Sequence, residues 1–149
     1  INFRIWNLDE EKSAKEFNKK VFDRINQFFD SSINIEEVYI EKPKNIRIAR
    51  KIFFNFDEYF SWPSLENEIV SKTGFCYGLD SHFGVLVNGD VIPCCLDQNA
   101  CVKLGNTNST QIEDILNSKR VKDIQKGFKN NILVEELCQK CEYRTRFDK

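Results

Sequence analysis

The pattern of apolar and polar positions predicts an α+β chain that begins with a strand and a helix. Residues 2–7 alternate apolar and polar side chains, which is typical of a short strand. Asp9 and the two glutamates that follow it then open a long predicted helix, because acidic side chains are favoured in a first turn. Apolar residues recur every three or four positions along this helix and predict one buried face: Ala14, Phe17, Val21, Ile25 and Phe28.

The next elements complete an N-terminal piece similar in order to a βα repeat. Residues 33–40 and 46–56 predict two further strands, separated by Pro43. An aromatic-rich stretch then ends at Trp62-Pro63, and the polar residues 64–73 follow it. We therefore expect two parts, residues 1–63 and residues 64–149.

The second part is predicted to be a β-hairpin followed by two helices. Asn88-Gly89 lies between the predicted strands 82–87 and 90–95, and this dipeptide favours a type I′ turn. Thr110 and Glu113 have the spacing of a capping box for the first helix. Ser118 is a candidate cap for the second helix, which carries an apolar stripe and is predicted to end at the next pair of asparagines: Val121, Ile124, Phe128, Asn130 and Asn131.

Composition narrows the classes of function. The formal net charge is −1, with 30% charged and 41% hydrophobic residues, so we expect no nucleic-acid surface. No apolar run reaches the roughly 18 residues of a membrane span, and no secretory segment is evident, so we expect no membrane partner and a cytoplasmic location. The chain contains no Met and begins at Ile1, which indicates a piece of a longer protein or else a trimmed start.

Six cysteines supply the most specific chemical signal. Cys76 and Cys94 bracket the predicted hairpin, and Cys138 and Cys141 form a C-x2-C pair. Four thiolates gathered in this way suit either one zinc ion or one 4Fe–4S cluster, and the spacing does not separate the two. Either centre couples its binding to folding. A disulfide-linked secreted domain is a weaker interpretation of the same cysteines.

The remaining polar candidates have simpler interpretations. Cys95 follows Cys94 on a strand and therefore points to the other face, where we expect a small buried apolar side chain. Cys101 is a possible spare ligand or a core residue. His82 and Asp97 are expected to be a surface residue and a loop cap, with roles beside the cysteines as the alternatives.

The second part resembles the SPASM/twitch region of radical SAM enzymes. Twelve residues separate Cys76 from Gly89, and Gly89-x4-Cys94 then matches the opening of that region's pattern. Leu104-Gly105-Asn106 before a helix and the closing Cys138-x2-Cys141 agree with it, and the resemblance covers residues 75–149. Residues up to about Trp62 look like the last βα elements of the radical SAM partial barrel.

The resemblance implies an accessory iron–sulfur module of a larger enzyme. It implies that the ligands of one auxiliary 4Fe–4S cluster are Cys76, Cys94, Cys138 and Cys141, with electron transfer or substrate positioning as its role. The full-length enzyme would cleave S-adenosylmethionine with a second cluster held by a C-x3-C-x2-C motif. No cysteine precedes Cys76, so these residues alone are not expected to be catalytic.

Substrates and partners follow from the same resemblance. It implies a peptide or small-molecule substrate for the full-length enzyme, and a redox partner. No cysteine follows Cys141, which fits the shorter twitch-type version with one cluster. The alternative hypothesis is a zinc-stabilised four-cysteine module that binds a peptide or protein partner. Arg144 and Arg146 follow the last cysteine and either neutralise the charge of the thiolates or belong to a free tail.

Overall fold

The chain forms two compact units with separate sheets. The computed structural model describes residues 1–8, 12–57 and 59–147. Its two units are Ile1–Tyr59 and Phe60–Lys149. Each unit combines helices with a three-stranded sheet, which confirms the α+β class, and neither sheet closes into a barrel within the described ranges. None of the helices described there combines the length and the apolar character needed to cross a bilayer.

The first unit is an open sheet with two helices. Strand β3 lies in the middle, parallel to β1 and antiparallel to β2. The predicted helix start at Asp9, Glu10 and Glu11 lies outside the described residues. In chain order the elements are β1 (Asn2–Ile5), α1 (Lys12–Phe29), α2 (Ile35–Glu41), β2 (Asn45–Ala49) and β3 (Ile52–Phe56).

The core of this unit is built around Phe54 on the central strand. Phe54 is fully buried and stacks on Phe22 of α1, with ring centroids 4.6 Å apart. Stacked rings of this kind add to the free energy gained from burying their apolar surface. Ile5, Ile35 and Val38 complete the cluster on the same side of the sheet.

Helix α1 buries the predicted face only in part, with Ile25 packed against the core. Phe17 and Phe28 are 63% and 76% exposed, so the predicted stripe is wrong at these two positions. The helix carries two ridges of similar period, and the one that packs includes Asn18 and Phe22. The burial of Asn18 is tolerated because its side-chain amide donates hydrogen bonds to Asn7 Oδ1 and to a tyrosine hydroxyl, both at 3.1 Å.

Residues 33–40 are mostly helical, which corrects the predicted strand. Asn34 caps α2, since its side-chain oxygen accepts the backbone N–H of Glu36 at 3.0 Å. Ile35 and Val38, three positions apart, bury one helical face, while Ile40 is exposed. The alternating isoleucines therefore gave a wrong strand prediction, because the Asn34 cap favours a helix at these residues.

The predicted strand 46–56 is a hairpin of two strands. β2 and β3 meet at a turn through Arg50 and Lys51, with an irregular register between Arg47 and Ala49. The Arg47 guanidinium donates to the carbonyl oxygens of Ala49 and Arg50 at 3.2 and 2.9 Å. Arg50 and Lys51, two basic residues within the predicted strand, therefore form the turn.

The second unit combines an antiparallel sheet, in the order β4-β5-β6, with four short helical segments. Its core contains Val121, Ile124 and Phe128, as their spacing predicted, and Cys76 and Cys138 pack against that core. The elements are β4 (Gly84–Val85), β5 (Asp90–Ile92), β6 (Gly105–Asn106), α3 (Ile112–Leu116), α4 (Lys119–Lys129), α5 (Glu136–Gln139) and a 3-10 helix (Tyr143–Phe147).

The predicted hairpin forms between β4 and β5, but its turn is not type I′. Gly89 has a φ of 87°, whereas Asn88 is not among the residues with positive φ. The Gly89 N–H donates to the Leu86 carbonyl at 2.8 Å, and the Leu86 N–H donates to the Asp90 carbonyl at 2.8 Å. These bonds describe an ordinary turn followed by a left-handed glycine, the geometry of a bulged hairpin loop.

A polar network fixes this loop against β6. The Asp90 carboxylate is buried and accepts hydrogen bonds from the side-chain amides of Asn88 and Asn106, at 2.9 and 2.8 Å. Lys103 forms an ion pair with it at 2.5 Å and holds the pKa of Asp90 below its ordinary value. The three strands are thus joined by side chains as well as by their short ladders.

The helix caps of the second unit were predicted with mixed success. Ser118 caps α4 by accepting the N–H of Val121, and the helix ends before Asn130 and Asn131, as predicted. The predicted capping box at Thr110 is wrong, because α3 begins after Gln111 without a side-chain cap. The Thr110 N–H instead donates to the Asn106 carbonyl and belongs to the preceding turn.

The two ridges of α1 predict different losses of unfolding free energy when a phenylalanine is replaced by alanine. Phe22→Ala is expected to lower the free energy of unfolding of the first unit by about 3–5 kcal/mol, because it empties a packed site. The matched variant Phe17→Ala, on the same helix, should change it by about 0.5 kcal/mol or less. Urea unfolding followed by Trp6 fluorescence in a Trp62→Phe background measures this unit alone. Equal losses for the two variants would contradict the packing described above.

Candidate metal centre

Cys76 and Cys94 approach each other across a glycine. A Cβ atom on Gly78 would lie 3.7 Å from Cys76 Sγ and 3.8 Å from Cys94 Cβ, so these two cysteines flank that position. The same Cβ would lie 3.2 Å from the Pro93 carbonyl oxygen, which is tighter than an ordinary contact. Gly78 is buried, and its lack of a side chain leaves the room in which the first pair converges.

Cys138 and Cys141 are held by one helical turn and its end. Cys138 lies in α5, and the N–H of Cys141 donates to the Cys138 carbonyl at 3.4 Å. Leu137 anchors this turn in the core next to Cys138. Cys138 therefore lies at the edge of the apolar core, and Cys141 follows it at the end of the same turn.

The four thiols lie within electrostatic reach of one another. Burial raises the pKa of Cys138 far above its ordinary value, and neighbouring thiols raise it further: Cys76, Cys94 and Cys141. Burial likewise raises the pKa of Cys94 to about 11, and the next contributions that raise it come from Cys76, Cys141 and Cys95. Ionised thiolates at these positions would repel each other, and a bound cation or cationic cluster would remove that cost.

Proximity of the thiols does not amount to the geometry of a single-ion site. Among the described residues, no group of three or more His, Cys, Asp or Glu side chains is arranged to hold one metal ion. Four thiolates around one zinc ion at about 2.3 Å have sulfur atoms about 3.8 Å apart. The thiolates of a four-iron cluster each bind a different iron atom. The assignment of the four cysteines as ligands therefore stays a prediction.

Backbone amides point at several of these sulfur atoms. The Gly78 N–H donates to Cys76 Sγ at 3.4 Å, and this donor and the Tyr77 N–H lower the pKa of Cys76 against the larger effect of burial. The N–H groups of Arg144 and Tyr143 act in the same way on Cys141. Hydrogen bonds to sulfur stabilise the thiolate form and are a normal feature of iron–sulfur sites, so the donor set fits such a cluster.

Arg144 is the one cation buried among the described residues. It is 3% exposed, and its side chain lies over Gly74, where a Cβ atom would come within 1.9 Å of the guanidinium Nη1. Its charge lowers the pKa of both Cys76 and Cys141. The expectation of a free tail is wrong for this residue, because residues 143–147 form a 3-10 helix.

The other predicted candidates lie outside the set of four cysteines. Cys95 is exposed, so its expected burial is wrong, and Cys101 is exposed as well. Asp97 is buried and accepts the N–H groups of Cys101 and Val102 at 2.7 and 2.8 Å, which confirms a loop cap. His82 is exposed and contacts a neighbouring serine hydroxyl through Nδ1.

Sequence reasoning missed Gly78 and gave the role of Arg144 only as one of two alternatives. Gly78 carried no signal, because a glycine two positions after a cysteine is read as an ordinary turn residue. Arg144 was noted by its spacing of three from Cys141, but its burial depends on Gly74, seventy positions earlier in the chain. Contacts over such separations are not visible in local patterns.

Comparison with known proteins identifies the second part of the chain. A family model named SPASM and described as an iron-sulfur cluster-binding domain matches residues 76–142. This range includes both cysteine pairs and confirms the resemblance seen in the sequence. No curated protein and no solved structure matches the chain.

The raised pKa of the thiols predicts a loss of stability at high pH in the metal-free, reduced chain. Burial raises the pKa of Cys94 from 9.0 to about 11, so the stability contributed by its protonated form is complete below the unfolded value and declines above it. Between pH 8 and 10 this thiol alone is expected to cost the second unit about 1 kcal/mol of unfolding free energy.

Urea unfolding followed by Trp62 fluorescence in a Trp6→Phe background measures this effect. Cys94→Ser should flatten the decline with pH by about 1 kcal/mol, and Cys95→Ser, at an exposed position, should leave it unchanged. A decline of the same size in Cys94→Ser and in the wild type would show that Cys94 is not the group responsible.

Proposed function

We propose that residues 76–142, which belong to the SPASM family of iron–sulfur cluster-binding domains, hold one auxiliary 4Fe–4S cluster through four thiolates: Cys76, Cys94, Cys138 and Cys141. The observation that carries this proposal is that Cys76 and Cys94 flank Gly78, and that Cys76 and Cys138 pack against one core, within the range of the family match. Cys95 and Cys101 are exposed and have no place in the ligand set.

The role of the surrounding chain is to make this site dry and rigid. Leu79, Leu137 and Phe128 belong to the core against which Cys76 and Cys138 pack, so water is kept from one side of the sulfur atoms. Backbone N–H groups donate hydrogen bonds to Cys76 and Cys141. Exclusion of water and hydrogen bonding to sulfur are the two means by which a protein tunes such a cluster.

Electron transfer is the chemistry that fits four protein ligands. When bound, the cluster would supply a one-electron acceptor or donor; with a cysteine on every iron, no iron is left open for a substrate. The four thiolates would hold the cluster, and the N–H donors would stabilise negative charge on its sulfur ligands. Direct coordination of a substrate is therefore the less favoured role.

The wider context belongs to the same proposal. The chain would be the C-terminal part of a radical SAM oxidoreductase, whose S-adenosylmethionine-cleaving cluster is bound by a motif that these residues lack. A peptide or small-molecule substrate and a redox partner would then be engaged by the full-length enzyme, with peptide modification as the reaction class. A reducing, cytoplasmic environment would keep the thiols available.

Anaerobic reconstitution with iron and sulfide tests the cluster. The wild-type chain is expected to take up about four irons, one for each thiolate ligand, and to show broad visible absorbance from sulfur-to-iron charge transfer. Cys138→Ser should lose most of this iron, because one ligand is missing. Cys95→Ser should keep the wild-type amount and absorbance, since its side chain is exposed and outside the set.

Two outcomes would contradict the proposal. Similar iron content in Cys138→Ser and Cys95→Ser would remove Cys138 from the ligand set. Tight retention of one zinc ion with a native fold, and no cluster under anaerobic conditions, would instead support a zinc-stabilised module that binds a peptide or protein partner. Aerobic purification alone does not decide, because zinc can enter a four-thiolate site that has lost its cluster.

A further inference from the structure

We propose that the Arg144 guanidinium is a built-in counter-charge for the thiolate site and raises the reduction potential of the cluster held there. The inference rests on the proposed function, since it concerns the same four thiols. It adds a positioning residue outside the cysteine motif, one that acts through its charge and not as a ligand.

The position of Arg144 is set by the fold and not by a flexible tail. Arg144 lies three positions after Cys141, within the 3-10 helix Tyr143–Phe147, and is 3% exposed. Its guanidinium fills the space above Gly74, where a Cβ atom would come within 1.9 Å of Nη1. Gly74 lies two positions before Cys76, so the side chain spans from the last cysteine of the set toward the first.

The electrostatic consequence reaches both ends of the ligand set. Arg144 follows Cys141 by three positions and its guanidinium lies over Gly74, two positions before Cys76, so its charge lies near one member of each pair. Its backbone N–H also contributes to stabilising the Cys141 thiolate. Four thiolates carry four negative charges, so a buried cation beside two of them offsets part of their repulsion, with less screening than a surface charge would meet.

A cation in this position favours the more negative state of a cluster. Reduction adds one electron, and a fixed positive charge nearby stabilises the product more than the reactant. Removing the charge should therefore shift the midpoint potential to more negative values. Because the guanidinium is buried, this shift should persist when the ionic strength is raised.

Arg146 provides a matched control in the same helical segment. It carries the same charge two residues further on, and its guanidinium lies over the rings of Phe60 and Tyr143, at 5.1 and 4.8 Å from their centroids. Arg146→Gln removes an equal charge from the chain. Arg144→Lys keeps the charge while changing the shape of the side chain.

The experiment is redox titration of the anaerobically reconstituted chain, read by visible absorbance at two salt concentrations. Arg144→Gln is expected to shift the midpoint potential to more negative values in both conditions. Arg144→Lys should stay closer to the wild type than to Arg144→Gln, and Arg146→Gln should shift the potential less than Arg144→Gln. A potential unchanged in Arg144→Gln, or a shift equally large in Arg146→Gln, would overturn the inference.

A second measurement separates this inference from the proposed function. If the wild-type chain takes up no iron–sulfur cluster, the proposed function fails, and competition for Cd²⁺ by the metal-free chain then decides the role of Arg144. Loss of the counter-charge should weaken Cd²⁺ binding by about tenfold or more in Arg144→Gln, with near wild-type binding in Arg144→Lys. Equal Cd²⁺ affinity in Arg144→Gln and the wild type would overturn the inference in that case.

Discussion

The burial of four thiols whose ionised forms would repel one another is the constraint on which the second unit depends. Each of these groups has a raised pKa because it is removed from water, and three of the four are affected by the thiols around them. Apolar packing from Leu79 to Leu137 gathers them, and backbone amides together with one buried guanidinium offset part of the electrostatic cost. The short strands and helices of this unit form a frame that holds the thiols together despite this electrostatic cost.

The frame is built from local devices that each determine a small part of the geometry. The left-handed Gly89 turns the chain so that β5 leads directly to Cys94. The buried Asp97 then holds the following loop through two backbone N–H groups, which fixes the exit of the chain after that cysteine. Ser118 caps α4, and Leu137 anchors α5 in the core. These two helices lead to the second cysteine pair. A site assembled from such pieces needs little regular secondary structure.

Patterns of residues predicted the family and several local elements of this chain better than its packing. The cysteine spacings, Gly89 and the stripe of α4 depend on local geometry, and the hairpin, the cap at Ser118 and the family were confirmed on that basis. The choice between two ridges on α1, the helix at residues 35–41 and the burial of Arg144 depend on partners distant in sequence. Phe17 and Phe22 are equally apolar, and only the amide contacts of Asn18 show which ridge faces inward.

The separation of the two cysteine pairs has a consequence for durability. Cys76 lies near the beginning of the second unit and Cys141 near its end, so a centre that joins them closes most of that unit into one loop, in the manner of a cross-link. If the proposed cluster binds there, oxidation of one of the four sulfur atoms would remove a ligand and weaken the link between the two ends of the unit, so that oxygen exposure would threaten the fold as well as the cluster.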